Sequence, residues 1–322
     1  MSKFLKVNII FLVILIIIVY LLDYTITYSL KKSKRFNYAE WNAIYSGKIN
    51  SDMVIYGSSR AYRHFDPKIL EDSLGVNVYN LGLDGYRFDM QYARHLEFIN
   101  YNKPPKYIVF SVDYWSLSKL SELYMYEQFL PYLKENTIKE YTSKYGYFDF
   151  WDYHLPFVRY IGNRKIILHA LEILFNTKKN YSKKYKGYEA GNEIWNDSSE
   201  LKLQLIKQNK LHPDKIYDFT MNVETVMLFK KFLNEIKRKK IKVFFIFSPT
   251  YIESQNLGKN SKENIIYIKQ LVSTNKFDFL DFSKDSMCSQ KKYFYNSSHL
   301  NKIGATIFSK KLASAIKKMI SH

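Results

Sequence analysis

Two serines follow a short apolar run in the stretch VIYGSSRAYRHFDP, residues 54–67. The run has the composition of a buried β-strand, and the glycine that ends it predicts a turn into a helix. A serine at such a turn projects from the carboxyl end of a sheet, beside backbone N–H groups. A serine hydroxyl is a weak nucleophile alone and needs a general base. Ser58 or Ser59 could therefore be a nucleophile, or could cap the following helix.

A candidate base lies near the other end of the chain. His299 stands in FYNSSHLNKIGATIF, just before the predicted last helix, and Asn296 stands three residues earlier. This spacing allows one turn to bring the Asn296 side chain to the imidazole nitrogen that does not face the serine. Together with a serine, these residues could carry out acyl transfer or ester hydrolysis. In the alternative interpretation, His299 caps or packs at the start of the last helix.

Five apolar runs predict the strands that must position these residues. Helical patterns lie between the runs, and Asp66-Pro67 gives one helix an N-cap followed by proline at its first position. Alternating strands and helices predict an α/β fold, a parallel sheet covered on both faces, with ligands at the carboxyl ends of the strands. The predicted strands are Met53–Tyr56, Val76–Asn80, Tyr107–Val112, Val243–Phe247 and Phe277–Phe282, and the predicted helices are Pro67–Leu74, Phe88–Asn100, Val223–Lys239, Ile265–Ser273 and Ile303–Ile320.

The N-terminal segment predicts a membrane anchor. VNIIFLVILIIIVYLL runs from Val7 to Leu22 without a charge, and with its flanks it approaches the ~20 residues that span hydrocarbon. Bulky residues follow the run, so an uncleaved transmembrane helix is preferred to a cleaved signal peptide. Residues 1–28 are assigned to the anchor, 29–50 to a juxtamembrane linker and 51–322 to the α/β domain.

A mainly helical insertion, rich in Tyr, Trp and Lys, is expected at about 116–220. Its aromatic side chains could pack together or line a glycan groove.

The cysteine count and the net charge limit the possible metal sites and partners. The single cysteine, Cys288, excludes an internal disulfide framework and a zinc site built on several thiolates. A net charge of +19 favours anionic partners, although lysines spread along the whole chain also fit a compositional bias. No nucleic-acid-binding motif is visible, so no nucleic acid partner is expected.

Three motifs in order resemble the SGNH/GDSL hydrolase superfamily. Gly57-Ser58-Ser59 resembles its first block, Gly-Asp-Ser, whose third residue is the nucleophile, and so the resemblance favours Ser59 over Ser58. NLGLDG resembles the second block, whose final glycine supplies an oxyanion N–H; the resemblance implies an oxyanion hole made by Ser59 and Gly85.

The third resemblance is FYNSSHLNKIGA, which is similar to the fifth block, Asp-x-x-His followed by a glycine. His299 and Gly304 match that pattern. The aspartate of the block is Asn296 here, which can orient the imidazole through its oxygen but cannot neutralise an imidazolium. The oxyanion-donating asparagine of the third block is replaced in SVDYWS by Asp113, and an ionised carboxylate would repel an oxyanion. Arg60 and Asp113 are candidate substrate contacts.

The anchor followed by Gly-Ser-Ser-Arg resembles the membrane-tethered branch of the superfamily. That branch includes the teichoic-acid D-alanylation protein and the alginate O-acetylation proteins. The resemblance implies a flavodoxin-like parallel sheet and a serine O-acyltransferase or esterase that needs no metal or cofactor. It also implies an envelope or exported polysaccharide as the substrate and a multispanning O-acyltransferase as a partner.

The sequence leaves open both the side of the membrane on which the domain lies and whether the domain is catalytic. The resemblance places the domain outside the cell membrane, but counting charges around the anchor does not by itself favour that orientation. The alternative function is a non-catalytic SGNH-like module that binds glycan or assembles a complex with the multispanning acyltransferase.

Overall fold

The computed structural model of the protein describes residues 3–35, 38–191, 194, 195, 198, 200, 202, 218–255 and 258–321. The chain divides into two compact units, which are described separately. The helical unit comprises residues 1–46 and 121–183, and the α/β unit comprises residues 47–120 and 184–322.

The α/β unit contains a five-stranded, all-parallel sheet in the order β2-β1-β3-β4-β5. This is the flavodoxin-like strand order, in which ligands bind at the carboxyl ends of the strands near the β1/β3 switch point. Each strand lies within a residue or two of a predicted run, so the predicted fold class is confirmed. The strands are β1 (Met53–Tyr56), β2 (Val78–Asn80), β3 (Tyr107–Ser111), β4 (Lys242–Phe247) and β5 (Asp278–Asp281).

The strands alternate their side chains between two apolar faces, as parallel strands covered on both sides require. One face buries Ile55, Val109 and Ile246 against side chains such as Phe308. The other face is aromatic, and there the Phe110 ring lies 5.5 Å from that of Phe232. The helices of this unit are α3 (Ser59–His64), α4 (Pro67–Leu74), α5 (Phe88–Tyr101), α9 (Val223–Lys239), α10 (Ser261–Thr274) and α11 (Lys302–Ile320).

Helix α4 illustrates how the local sequence sets these boundaries. The Asp66 side chain accepts a hydrogen bond from the amide of Lys68, and Pro67 occupies the first turn, where its missing N–H costs nothing. The helix ends at Gly75, whose φ of +68° is the left-handed conformation that favours glycine. Helix α3 is the helix that the sequence analysis expects after the Gly57 turn without giving its bounds.

The helical unit is built on a long N-terminal helix. Helix α1 (Lys3–Leu30) is long and apolar enough to span a membrane. Its last turns are buried in the unit at Asp23, Ile26, Ser29 and Leu30. The unit also contains α2 (Tyr38–Tyr45), α6 (Asn136–Ser143), α7 (Phe150–His154) and α8 (Arg164–Leu174).

The observed boundaries differ from the expected ones in two places. The segment 29–50, expected to be a linker, contains α2, because Trp41 and Ile44 lie on one side of a helical turn and are fully buried. Of the insertion expected at 116–220, residues 121–183 belong to the helical unit. Much of its second half, including residues 203–217, lies outside the described residues.

Candidate active site

A glycine forces the turn that presents the two serines. Gly57 follows β1 with a φ of +139°, which side chains other than hydrogen rarely tolerate. A Cβ at this position would lie 2.7 Å from the Cβ of Ser111 and 2.8 Å from that of Ala61. The chain therefore passes close to β3 and enters α3 directly, with the serines at its start.

The two adjacent serines face different surroundings. Ser58 is buried, its hydroxyl accepts from the Arg60 amide at 3.4 Å as the N-cap of α3, and it donates to Asp113. Ser59 is partly exposed, and its Oγ lies 2.7 Å from Nε2 of His299. The helix cap and the candidate nucleophile are thus both present, on neighbouring residues.

Asn296 fixes which nitrogen of His299 carries the proton. Its Oδ1 accepts hydrogen bonds from the backbone amides of Ser298 at 3.0 Å and His299 at 2.9 Å. Because both donors are backbone N–H groups, the amide oxygen must be the atom that faces the ring. That oxygen lies 3.0 Å from Nδ1 of His299, so Nδ1 carries the hydrogen and Nε2 is left as an acceptor. The Ser59 hydroxyl therefore donates to Nε2.

The surroundings of His299 favour its neutral form. Burial lowers the pKa of its imidazole, and the positive charges of Arg60 and Arg63 lower it further. Tyr295 stacks on the imidazole with ring centroids 5.4 Å apart, and the Arg63 guanidinium lies 5.6 Å from the Tyr295 ring centre. The candidate base is therefore unprotonated at neutral pH.

A second histidine, which the sequence analysis does not single out, holds the loop that carries the first. His64 is fully buried, and burial keeps its pKa well below the usual value. Its Nε2 accepts from the amide of Leu300 at 3.0 Å, so its Nδ1 donates to Ser248 Oγ at 2.9 Å. Because Leu300 directly follows His299, this bond ties the base to α3, the helix that starts at Ser59.

The NLGLDG motif, residues 80–85, packs against the turn at Gly57. Asn80 donates to the carbonyls of Ala61 at 2.8 Å and Phe65 at 3.0 Å, and the Leu83 amide donates to the Gly57 carbonyl at 2.8 Å. Gly85 adopts a φ of +78° in the turn that follows. The oxyanion role of Gly85 stays a prediction.

Gly304, the glycine of the FYNSSHLNKIGA motif, has a packing role. A Cβ on Gly304 would lie 2.2 Å from the carbonyl oxygen of Tyr293, so only glycine allows α11 to begin so close to the preceding chain. The Gly304 amide donates to the side chain of Asn301, the N-cap of α11, at 3.0 Å. This cap sets the start of the helix immediately after the His299 loop.

Arg60 and Asp113, which the sequence analysis names as candidate substrate contacts, lie inside the protein instead of at its surface. Both side chains are fully buried, and they pair with each other at 3.0 Å. Arg60 also donates to the Ser248 and Pro249 carbonyls and lies 5.0 Å from the Phe247 ring centre. Burial raises the pKa of Asp113, against the opposing effect of Arg60. The physical reason is that the buried carboxylate of Asp113 needs a countercharge, which Arg60 supplies inside the protein.

The sheet order, the serine after β1 and the histidine before the last helix make the α/β unit SGNH/GDSL-like in fold. Two solved structures are similar to the chain, each with a TM-score of 0.39 and 11% identity. One is a protein assigned to the lipolytic G-D-S-L family from Desulfitobacterium hafniense DCB-2, and the match covers 82% of this chain and 98% of that one. The other is assigned as a platelet activating factor from Streptococcus pneumonia, with 90% and 94% covered. The sequence matches no protein-family model and no curated protein.

Proposed function

We propose that this chain is a membrane-anchored serine acyltransferase or esterase that forms an acyl-enzyme at Ser59. The observation that carries the proposal is the hydrogen-bonded series Ser59 Oγ, His299 Nε2, His299 Nδ1 and Asn296 Oδ1. Two backbone amides hold Asn296 so that the imidazole has the tautomer a general base requires.

The proposed reaction has two half-reactions. Ser59 Oγ attacks the acyl carbonyl while its proton moves to Nε2 of His299, and the departing alcohol oxygen takes that proton as the ester bond breaks. The acyl group is then carried on Oγ. A sugar hydroxyl or water gives its proton to Nε2 and attacks the acyl carbon, which releases the new ester or acid and restores Ser59.

The oxyanion in this reaction would have fewer donors than in the SGNH pattern. The Ser59 amide is in the first turn of α3, where an N–H has no helical carbonyl to bond. Gly85 would supply the second donor. Asp113 supplies none, since it is paired with Arg60. One lost donor costs roughly 10²–10³ in rate, so we expect slow turnover.

The substrate and location are part of the same proposal. An N-terminal helix able to span a membrane and a net charge of +19 support an anionic envelope or exported polysaccharide as the acyl acceptor or donor. We place the α/β unit outside the cell membrane, beside a multispanning O-acyltransferase that supplies acyl groups.

A second candidate function is a non-catalytic SGNH-like module that binds glycan or assembles the acylation complex. Two observations favour it. The residue bonded to Nδ1 of His299 is the uncharged Asn296, and Asp113 is buried and paired with Arg60. Both would weaken catalysis without disturbing the fold.

Hydrolysis of an activated aryl acetate by the full-length protein in detergent separates the two candidates. The enzyme proposal expects turnover by the wild type that falls to background in Ser59→Ala and His299→Ala, each with an unchanged circular dichroism spectrum. Equal rates in all three folded proteins would favour the binding module. C-terminal fusions test the location: alkaline phosphatase should be active and green fluorescent protein dark, and the reverse pattern would place the unit in the cytoplasm.

A further inference from the structure

The helical unit exposes apolar side chains on both sides of a segment that bonds to the last turns of α1. Four of them are between 42% and 65% exposed. They lie in α7 and in the segment that follows it. This interfacial patch consists of Phe150, Trp151, Leu155 and Ile161.

Hydrogen bonds fix the height of this segment along α1. The Asp23 carboxylate accepts from the amide of Phe157 at 2.8 Å and pairs with Arg159 at 2.9 Å. One turn further, the Thr27 hydroxyl bonds to Arg159 at 2.9 Å and to Tyr160 at 2.8 Å. Segment 157–160 therefore lies beside α1 between Asp23 and Thr27, an axial distance of about 6 Å, and Ile161 directly follows it.

The thickness of a bilayer indicates which layer of the membrane surrounds this segment. The uncharged run from Val7 to Leu22 rises about 24 Å as a helix, somewhat less than the ~30 Å hydrocarbon core. A helix that spans with this run brings Asp23 to the edge of the core, and the ion pair with Arg159 lowers the cost of that depth. The next ~6 Å correspond to the headgroup layer.

The aromatic residues at this height agree with that placement. Tyr20, Tyr24 and Tyr28 are exposed at four-residue spacing and so lie along one side of α1. Tyr and Trp are enriched where a membrane protein crosses the headgroup layer, because their rings are apolar and their tips are polar. Trp151 of the patch has the same chemistry.

We propose that the interfacial patch inserts into the headgroup layer of the bilayer that α1 spans, as a second, peripheral lipid contact. The occupant is lipid because the patch neighbours a helix whose 18-residue apolar window has no buried residue in the described part of the chain. The proposal rests on the membrane anchor of the proposed function and is independent of the chemistry at Ser59. It implies that the helical unit is held against the membrane at two places.

Depth-dependent fluorescence quenching tests this contact. Full-length protein with Cys288→Ala is reconstituted in phosphatidylcholine and phosphatidylglycerol vesicles, and an environment-sensitive dye is attached at Ile161→Cys. The matched control is Phe175→Cys, since Phe175 is 69% exposed but lies beyond His169, whose ring bonds to Ser33 past the end of α1. A third dye at Ile14→Cys reports the anchor itself.

A lipid with a nitroxide at a shallow acyl position should remove most of the emission of the dye at residue 161 and little of that at residue 175. A lipid with a deep nitroxide should quench the dye at residue 14 most strongly. If residue 14 is quenched while residues 161 and 175 behave alike, the interfacial patch is refuted and the anchor stands. If residue 14 is not quenched, the anchor fails and the patch proposal fails with it.

Discussion

Asp113, just after β3, and Asn296, in the loop before α11, are two site positions at which this chain departs from the SGNH pattern. Asp113 has the charge but is turned into the protein, where Arg60 and Ser58 occupy its oxygens. Asn296 lacks the charge but has its oxygen 3.0 Å from the His299 ring. One departure removes a group from the site, and the other keeps the geometry and changes only the electrostatics.

The role of a polar residue in this site depends on its bonding partners more than on its type. Asn296 keeps its position because two backbone amides hold its oxygen. In serine proteases the corresponding Asp-to-Asn change costs roughly 10⁴ in kcat, largely through the wrong tautomer. Here the tautomer is right, so we expect only the electrostatic part of that loss.

The largest expected effect comes from breaking the buried ion pair. Arg60→Met leaves the Asp113 carboxylate unpaired in the interior, which should lower the free energy of unfolding by about 3–5 kcal/mol. Urea unfolding of the detergent-solubilised protein measures it. The control is Arg60→Met with Asp113→Leu, which should recover most of the stability. A single variant as stable as the wild type would mean that the pair is not structural.

Restoring the superfamily residue at position 296 and at position 113 should have different effects on aryl acetate turnover. Asn296→Asp places a carboxylate against the imidazolium that forms during the reaction, which should raise aryl acetate turnover about 10- to 100-fold. Asp113→Asn should bring no gain, because the side chain still faces Arg60, now without a countercharge. A gain in the second variant, or a collapse of activity in a folded Asn296→Asp protein, would contradict this comparison.

The pH profile provides a smaller, independent effect. The lowered pKa of His299 keeps the base neutral, so the wild-type rate should fall with acidity only well below pH 6.5, the ordinary histidine value. Asn296→Asp favours the imidazolium, so the acidic limb should move to higher pH. Rates are compared over the range in which circular dichroism is constant. An acidic limb at or above pH 6.5 in the wild type would show that burial does not control this group.

The smallest expected effect on activity is at the helix cap. Ser58→Ala removes the N-cap of α3 and the hydrogen bond to Asp113, which together should cost about 1–3 kcal/mol of stability, while aryl acetate turnover per folded molecule stays near the wild-type value. Ser59→Ala should show the reverse, with little loss of stability and no turnover. Loss of turnover in both variants at equal stability would mean that the two serines share one role.

Much of the fold could be predicted because its signals are local. The apolar runs gave all five strands within a residue or two, and the cap at Asp66 placed α4 correctly. The Ser58–Asp113–Arg60 network could not be predicted, because its members lie on different elements and Arg60 is buried only once β3 and β4 are in place. His64 was missed for the same reason: its partners Ser248 and Leu300 are distant in sequence.

The residue to which a fluorophosphonate attaches tests directly whether Ser59 is a nucleophile activated by His299. Full-length wild-type protein is treated with the probe, digested, and the modified peptide identified by mass spectrometry, with heat-unfolded protein as the control for non-specific reaction. We predict one phosphonylated residue, Ser59, with unmodified Ser58 in the same peptide, and faster modification in Asn296→Asp. No adduct on the folded protein, or an adduct on another residue, would contradict the assignment of Ser59 as a nucleophile activated by His299.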